Sequence, residues 1–150
     1  MHLRELFTTD TVKLDLESET KGDILKEMVS LLGLGAEAET VLLKTIARRE
    51  NLGSTGIGSG IAIPHCRSLV VSQLHIAYGR KASGVDFNAI DREPVYHFFM
   101  IVAPPLETSN NYLPVLGKVA QFAREPTADG ALMALVNPED FLHLLNEQGL

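Results

Sequence analysis

Between Gly53 and Arg67 the chain reads Gly-Ser-Thr-Gly-Ile-Gly-Ser-Gly-Ile-Ala-Ile-Pro-His-Cys-Arg, with glycines at 53, 56, 58 and 60. Glycine at that density marks backbone with positive φ, or backbone that another group must approach closely. Ile61-Ala62-Ile63 is long enough for one short strand. Pro64 has no N–H to give a ladder and ends it. His65 is thereby placed at a strand end, beside a loop rich in N–H groups. Arg48, Arg49 and Arg67 flank the run, Ser54 and Thr55 add hydroxyls, and Glu50 is the one carboxylate nearby. A histidine after a proline is ordinarily a surface or hydrogen-bonded structural residue, but this company argues otherwise. Guanidiniums, hydroxyls and backbone N–H groups together suit a phosphate or another oxyanion. In such a pocket a neutral imidazole has a free ring nitrogen and can act as a nucleophile.

Two familiar phosphate loops are excluded. A P-loop needs Gly-Lys-Ser/Thr at its end, and no lysine lies between Lys44 and Lys81. A dinucleotide fingerprint needs a strand before the glycines and a helix after them. Here a helix end precedes them and a strand follows.

The rest of the chain predicts one α/β domain over residues 1–150, with helices and strands intermixed. Val12, Leu14 and Leu16 alternate as an edge strand after a short helix or turn. Ile24, Leu25, Met28, Leu31 and Leu32 form one helical stripe, capped by Ser18 or Thr20 and ended by Gly33 and Gly35. A second helix covers 36–50 and ends on Arg48-Arg49-Glu50. Cations at a helix C-terminus have a structural reason in the macrodipole, which for Arg48 stands level with a functional one. Gln73 to Arg80 alternates as a strand, and 81–92 is expected to be a loop. Pro94 to Val102 is nearly continuous apolar sequence, the mark of a central strand buried on both faces. His75 and His97 fall inside these strands and are expected to be structural, with no metal-ligand companions at the right spacing. Leu113, Leu116, Ala120 and Ala123 mark a third helix, with Ser109 to Asn111 as cap candidates and Pro114 tolerable only in its first turn. A short helix over 131–136 follows. Asn137-Pro138-Glu139-Asp140 is the start of a last one.

Composition narrows the function classes. A formal net charge of −6 argues against a general nucleic-acid binder. No apolar run approaches the roughly 20 residues of a membrane span, and the N-terminus lacks a signal-peptide core. One cysteine forms no internal disulfide, which fits a reducing cytoplasm.

Arg49-Glu50, then Ser54-Thr55-Gly56-Ile57-Gly58 and Ile61-Ala62-Ile63-Pro64-His65, resembles the pattern R-E-x-x-x-S-T-G-I-G-x-G-[IV]-A-[IV]-P-H. This is the signature of the mannitol/fructose-type enzyme IIA domain of the bacterial phosphoenolpyruvate-dependent phosphotransferase system, a family that includes the nitrogen-regulatory IIA proteins. Gly84-Val85-Asp86-Phe87, Asp91 and Pro94-Val95 follow the same family, and the resemblance covers essentially the whole chain. It implies a mixed central β-sheet flanked by helices. It also implies a phosphocarrier whose His65 accepts a phosphoryl group from the carrier HPr, or its nitrogen-branch counterpart, and passes it to a IIB domain or uses it as a regulatory signal. Arg49, Ser54 and Thr55 are then the candidates for holding phosphate, and no metal or cofactor is needed. The family would place the phosphate on Nε2, a choice on which the residues themselves are silent.

The chain departs from the family downstream. The usual second histidine, in a pattern like H-L-x-x-L, is replaced by Tyr112 or, counted without a gap, by Asn111. Either could donate a hydrogen bond to phosphate, but neither is a cation near pH 7. The expectation is a less stabilised phosphorylated state, or a different partner. Cys66 fills a position usually small in the family, with a thiolate role beside Arg67 as the lesser alternative. Two other functions are open. One is a protein-binding regulatory module that no longer carries phosphate. The other is a hydrolase using His65 with Cys66 or Ser59, which lacks an orienting acid or base.

Overall fold

The computed structural model describes residues 2–105 and 111–150. Two 3-10 turns, Leu3–Glu5 and Thr9–Thr11, lead into β1 (Val12–Lys13), α1 (Lys21–Ser30) and α2 (Ala36–Leu52). The strands β2 (Gly56–Gly58), β3 (Ile61–Ala62), β4 (His65–Arg67), β5 (His75–Val85) and β6 (Val95–Ala103) follow. The chain closes with α3 (Tyr112–Ala123), α4 (Ala128–Met133) and α5 (Pro138–Glu147).

The six strands form one mixed sheet in the order β1-β5-β6-β3-β2, with β4 also beside β6. β6 is its centre: antiparallel to β5 on one side, parallel to β3 and β4 on the other. Every residue of β6 but Tyr96 is buried, as a run without alternation demands. Its side chains divide by parity. Phe99, Ile101 and Ala103 face a core closed by α3, α4, α5 and the N-terminal turns, while Phe98, Met100 and Val102 face one closed by α1 and α2. The result is a three-layer arrangement, helices on both faces of the sheet. α1 crosses β5 at Gly79, where even a Cβ would lie 2.5 Å from Met28 Sδ.

Local signals set most boundaries. Thr20 caps α1 by accepting from Asp23 N–H at 3.2 Å. Asn137 and Asp140 form a reciprocal capping box around Pro138, as the sequence predicts. The stretch 81–92 is not all loop, because β5 runs on to Val85. The register against β6 shifts between Arg80 and Val85, and the irregular pairing leaves Ala82 and Ser83 exposed, so no alternation marks them as strand. The edge strand is only two residues long, and the fourth helix covers 128–133 rather than 131–136. Of the α3 cap candidates, Ser109 and Asn110 lie outside the described residues, and Asn111 takes the N-cap position. The inner face of α3 is Tyr112, Val115, Val119, Phe122 and Ala123. Leu113, one of the residues that mark the helix in the sequence, is 67% exposed. Phe99 and Ile101 of β6 pull one stripe of α3 inward, Leu116 packs partly against the same core, and Leu113 is left for the neighbouring cleft.

Candidate functional site

The glycine-rich run is a hairpin rather than an open loop. β2 and β3 pair antiparallel across a two-residue turn, Ser59-Gly60, with φ of 57° and 79°. Positive φ at both positions is the geometry of a type I′ turn. Its N–H groups serve the chain itself. Gly56 N–H donates to Ser54 Oγ (3.0 Å), Ser59 N–H to Asp91 Oδ2 (3.0 Å) and Ile63 N–H to Thr55 O (3.0 Å). At these three positions the run offers no spare donor to a ligand.

β3 and β4 are one path along β6 with a break at Ile63-Pro64, and the register is the same on both sides of it. Pro64 still accepts from Ile101 N–H through its carbonyl (2.9 Å). The Ile63 carbonyl turns instead to the ring of His65 and meets Nδ1 at 2.7 Å. A carbonyl only accepts, so the neutral ring carries its proton on Nδ1 and its lone pair on Nε2. The break thus assigns the tautomer.

Alternation in β4 puts half-buried His65 and exposed Arg67 on one side and buried Cys66 on the other. His65 opens on a cleft of about 460 Å³. Arg48, Arg49 and Arg67 line it, with Tyr112 and the apolar Leu52, Leu113 and Leu116. No carboxylate is among the described lining residues. Glu50, the acid close in sequence, is only 6% exposed and points inward. It takes the Lys21 ammonium at 2.9 Å, Thr55 N–H at 3.1 Å and the Thr55 hydroxyl. A chain of net charge −6 therefore presents, among the described residues lining the cleft, only cationic charges beside His65.

The predicted phosphate-holding residues separate into two groups. Arg49 and Tyr112 line the cleft with His65. Arg49 also donates to the Gly53 carbonyl at 2.8 Å, tying down the end of α2. The Ser54 hydroxyl donates to Phe87 O at 2.7 Å, and Thr55 is 4% exposed against Glu50, so neither lines the cleft. Asn111 starts α3, where its carbonyl takes Val115 N–H at 2.9 Å, and it does not line the cleft either. Arg67, outside the phosphate-holding set that the sequence suggests, lines the cleft with Arg49 and Tyr112. Its period-two relation to His65 was the available signal.

Burial pushes the Cys66 thiol up to about 12, which rules out a thiolate near neutral pH. Burial, with Cys66 adding and Arg67 and Arg49 opposing, pushes the Tyr112 phenol up to about 12, so it remains a neutral ring. Among the described residues, no group of three or more His, Cys, Asp or Glu side chains is placed to hold a metal ion.

Comparison with known proteins agrees with this architecture. The chain is 32% identical over 149 residues to the fructose-specific EIIABC component of the phosphotransferase system from Bacillus subtilis, which it covers to only 23% of its length against 98% of its own. It is 31% identical to a nitrogen regulatory protein from Pseudomonas aeruginosa, across 80% of this chain and 79% of that one. The crystal structure of nitrogen regulatory protein IIA-Ntr from Neisseria meningitidis superimposes with a TM-score of 0.86 at 30% identity, covering 95% of this chain and 98% of that one. The family model of the phosphoenolpyruvate-dependent sugar phosphotransferase system, EIIA 2, matches residues 5–148, and the chain belongs to that family.

Proposed function

We propose that this domain is a histidine phosphocarrier that accepts a phosphoryl group on His65 Nε2 from an HPr-like protein. The observation that carries this reading is the His65 ring itself: Nδ1 is held by the Ile63 carbonyl, and the ring opens on a cleft with three arginines and, among the described residues, no lining carboxylate. The Nε2 lone pair attacks the donor's phosphorus. The donor's P–N bond breaks with its electron pair left on the donor ring, which departs as neutral imidazole. Nδ1 keeps its proton throughout. Phosphoryl transfer asks for positioning and charge stabilisation more than for covalent help. Arg49 supplies it in this reading, with Tyr112 lining the same cleft and Asn111 placed outside it at the start of α3. Ser54 and Thr55 contribute by fixing the 53–56 segment to Phe87 and Glu50.

The acceptor downstream is a IIB domain or a regulated target protein. The Bacillus subtilis relative is by its name an EIIABC component, and the Pseudomonas aeruginosa relative a nitrogen regulatory protein. Relatives of both kinds support a carrier and do not choose between the branches. We place the reaction in the cytoplasm, where a lone thiol such as Cys66 stays reduced. In the described residues no helix is long and apolar enough to cross a membrane. A binding module without phosphate has no use for a tautomer-locked imidazole among arginines, and is not favoured.

Incubation with phosphoenolpyruvate, enzyme I and HPr, followed by intact-mass spectrometry at neutral and acidic pH, tests the proposal. One acid-labile phosphate, absent from His65→Ala, is expected. No phosphate, with an HPr active on another IIA protein, would overturn it.

A further inference from the structure

Arg67 stands two residues beyond His65 on β4, on the same side of the strand, with the Cys66 side chain turned into the core between them. Among the described residues, Tyr112 and Pro104 both hold its side chain. The guanidinium carbon lies 4.5 Å from the centre of the Tyr112 ring, on the first turn of α3. Nη1 donates to the Pro104 carbonyl, just beyond the end of β6, at 2.9 Å. A long, flexible cation is thereby bracketed between a flat aromatic face and a backbone acceptor, on the same cleft wall as the nucleophile.

We propose that Arg67 binds the phosphoryl group carried on His65, and that Tyr112 is its positioning residue, acting through its ring rather than its hydroxyl. The inference rests on His65 being the phosphoryl acceptor. When the Nε2–P bond forms, a dianionic group with three terminal oxygens enters the cleft. A planar, always-charged guanidinium matches that group with parallel N–H donors better than a neutral phenol does. The Tyr112 ring is 7% exposed, and its value to the site is a rigid surface that keeps the guanidinium from wandering into solvent.

The test uses two donors, the HPr carrier and phosphoramidate. Phosphoramidate is a small donor whose P–N bond breaks to release ammonia and which needs no protein–protein surface. Rates of His65 phosphorylation are measured by intact mass, well below each variant's unfolding midpoint. Arg67→Gln is expected to slow both reactions by about tenfold or more, the usual scale for losing a charge-assisted hydrogen bond. Arg67→Lys should recover part of the rate. Tyr112→Phe, which keeps the ring, should remain within about twofold of the wild type, whereas Tyr112→Leu should reproduce the loss seen in Arg67→Gln. Combining Arg67→Gln with Tyr112→Leu should add little further, because the two act as a unit. Wild-type rates in Arg67→Gln would overturn the proposal, as would a Tyr112→Phe variant as slow as Tyr112→Leu. If the wild type takes phosphate from neither donor, it is the acceptor role of His65 that fails.

Discussion

His65 and His97 lie on neighbouring strands of one sheet, and their surroundings assign them opposite tautomers. His97 is fully buried, with Nε2 2.7 Å from Asp129 Oδ1 and Nδ1 2.8 Å from the Tyr78 hydroxyl. A carboxylate only accepts, so Nε2 carries the proton and Nδ1 accepts from the tyrosine. Both nitrogens are thereby used. His65 has its proton on Nδ1, toward its own chain's carbonyl, and its other nitrogen is left for the cleft. The comparison teaches that chemistry on this sheet depends on which imidazole has a lone pair left over.

Exchanging the two roles by mutation is the strongest way to break the comparison. His65→Gln should abolish phosphorylation altogether while changing stability by less than about 0.5 kcal/mol, because the side chain is only half-buried. His97→Leu should do the reverse. It should cost roughly 3 kcal/mol by leaving the Tyr78 hydroxyl buried without its partner, yet the folded fraction should still take up phosphate. Urea unfolding and intact mass on the same samples check both.

Acid should divide the molecule in a second way. Burial, against the pull of Asp129, holds His97 below its ordinary value of 6.5. The unfolded chain takes up a proton that the folded one refuses, so stability falls as pH drops below about 6.5. Glu27 adds a later step. Burial opposes its charge, but hydrogen bonds from Lys13, Ser18 and the N–H groups of Glu17 and Ser18 outweigh that and hold it at about 2 against an ordinary 4.5. Its contribution, on the order of 2 kcal/mol, is fully present above pH 4.5 and lost as pH falls toward 2. Denaturation midpoints measured from pH 7 to 2 should show both steps, with Glu27→Gln flattening only the lower one.

Smaller effects sharpen the boundary of the site. Thr55→Val should cost about 1–2 kcal/mol by removing a bond to buried Glu50, and change the phosphorylation rate little, since the hydroxyl does not face the cleft. A large rate loss at unchanged stability would return Thr55 to the phosphate-binding set. Cys66→Ala should cost about 1 kcal/mol and leave phosphorylation intact. The wild-type thiol should react with a thiol reagent at pH 8 only as fast as the protein unfolds.

Much of the fold was legible because it rests on local rules. The unbroken apolar run ending at Ala103 had to be a central strand. Asn137-Pro138 had to open a helix, and Leu25 and Met28 had to face a core. What escaped was decided by partners distant in sequence. β5 continues past Arg80 because β6 offers it a second register, which residues 81–84 do not announce. On α3, Leu116, Ala120 and Ala123 pack on the core but Leu113 does not, because Leu113 and Val115 are equally apolar and only the position of β6 decides which turns inward.

The sequence by itself determined that an imidazole would follow a proline break near a set of arginines, and that the pattern was that of a family. Spacing along the chain carries that information directly. Tertiary structure decided that the Ile63 carbonyl would accept from His65 Nδ1–H, that Glu50 would be withdrawn to Lys21, and that Arg67 would lie across Tyr112. Each of these depends on where side chains from separate elements meet in space. The orientation of a polar side chain is set by whichever partner desolvates it, and spacing along one chain does not encode that partner.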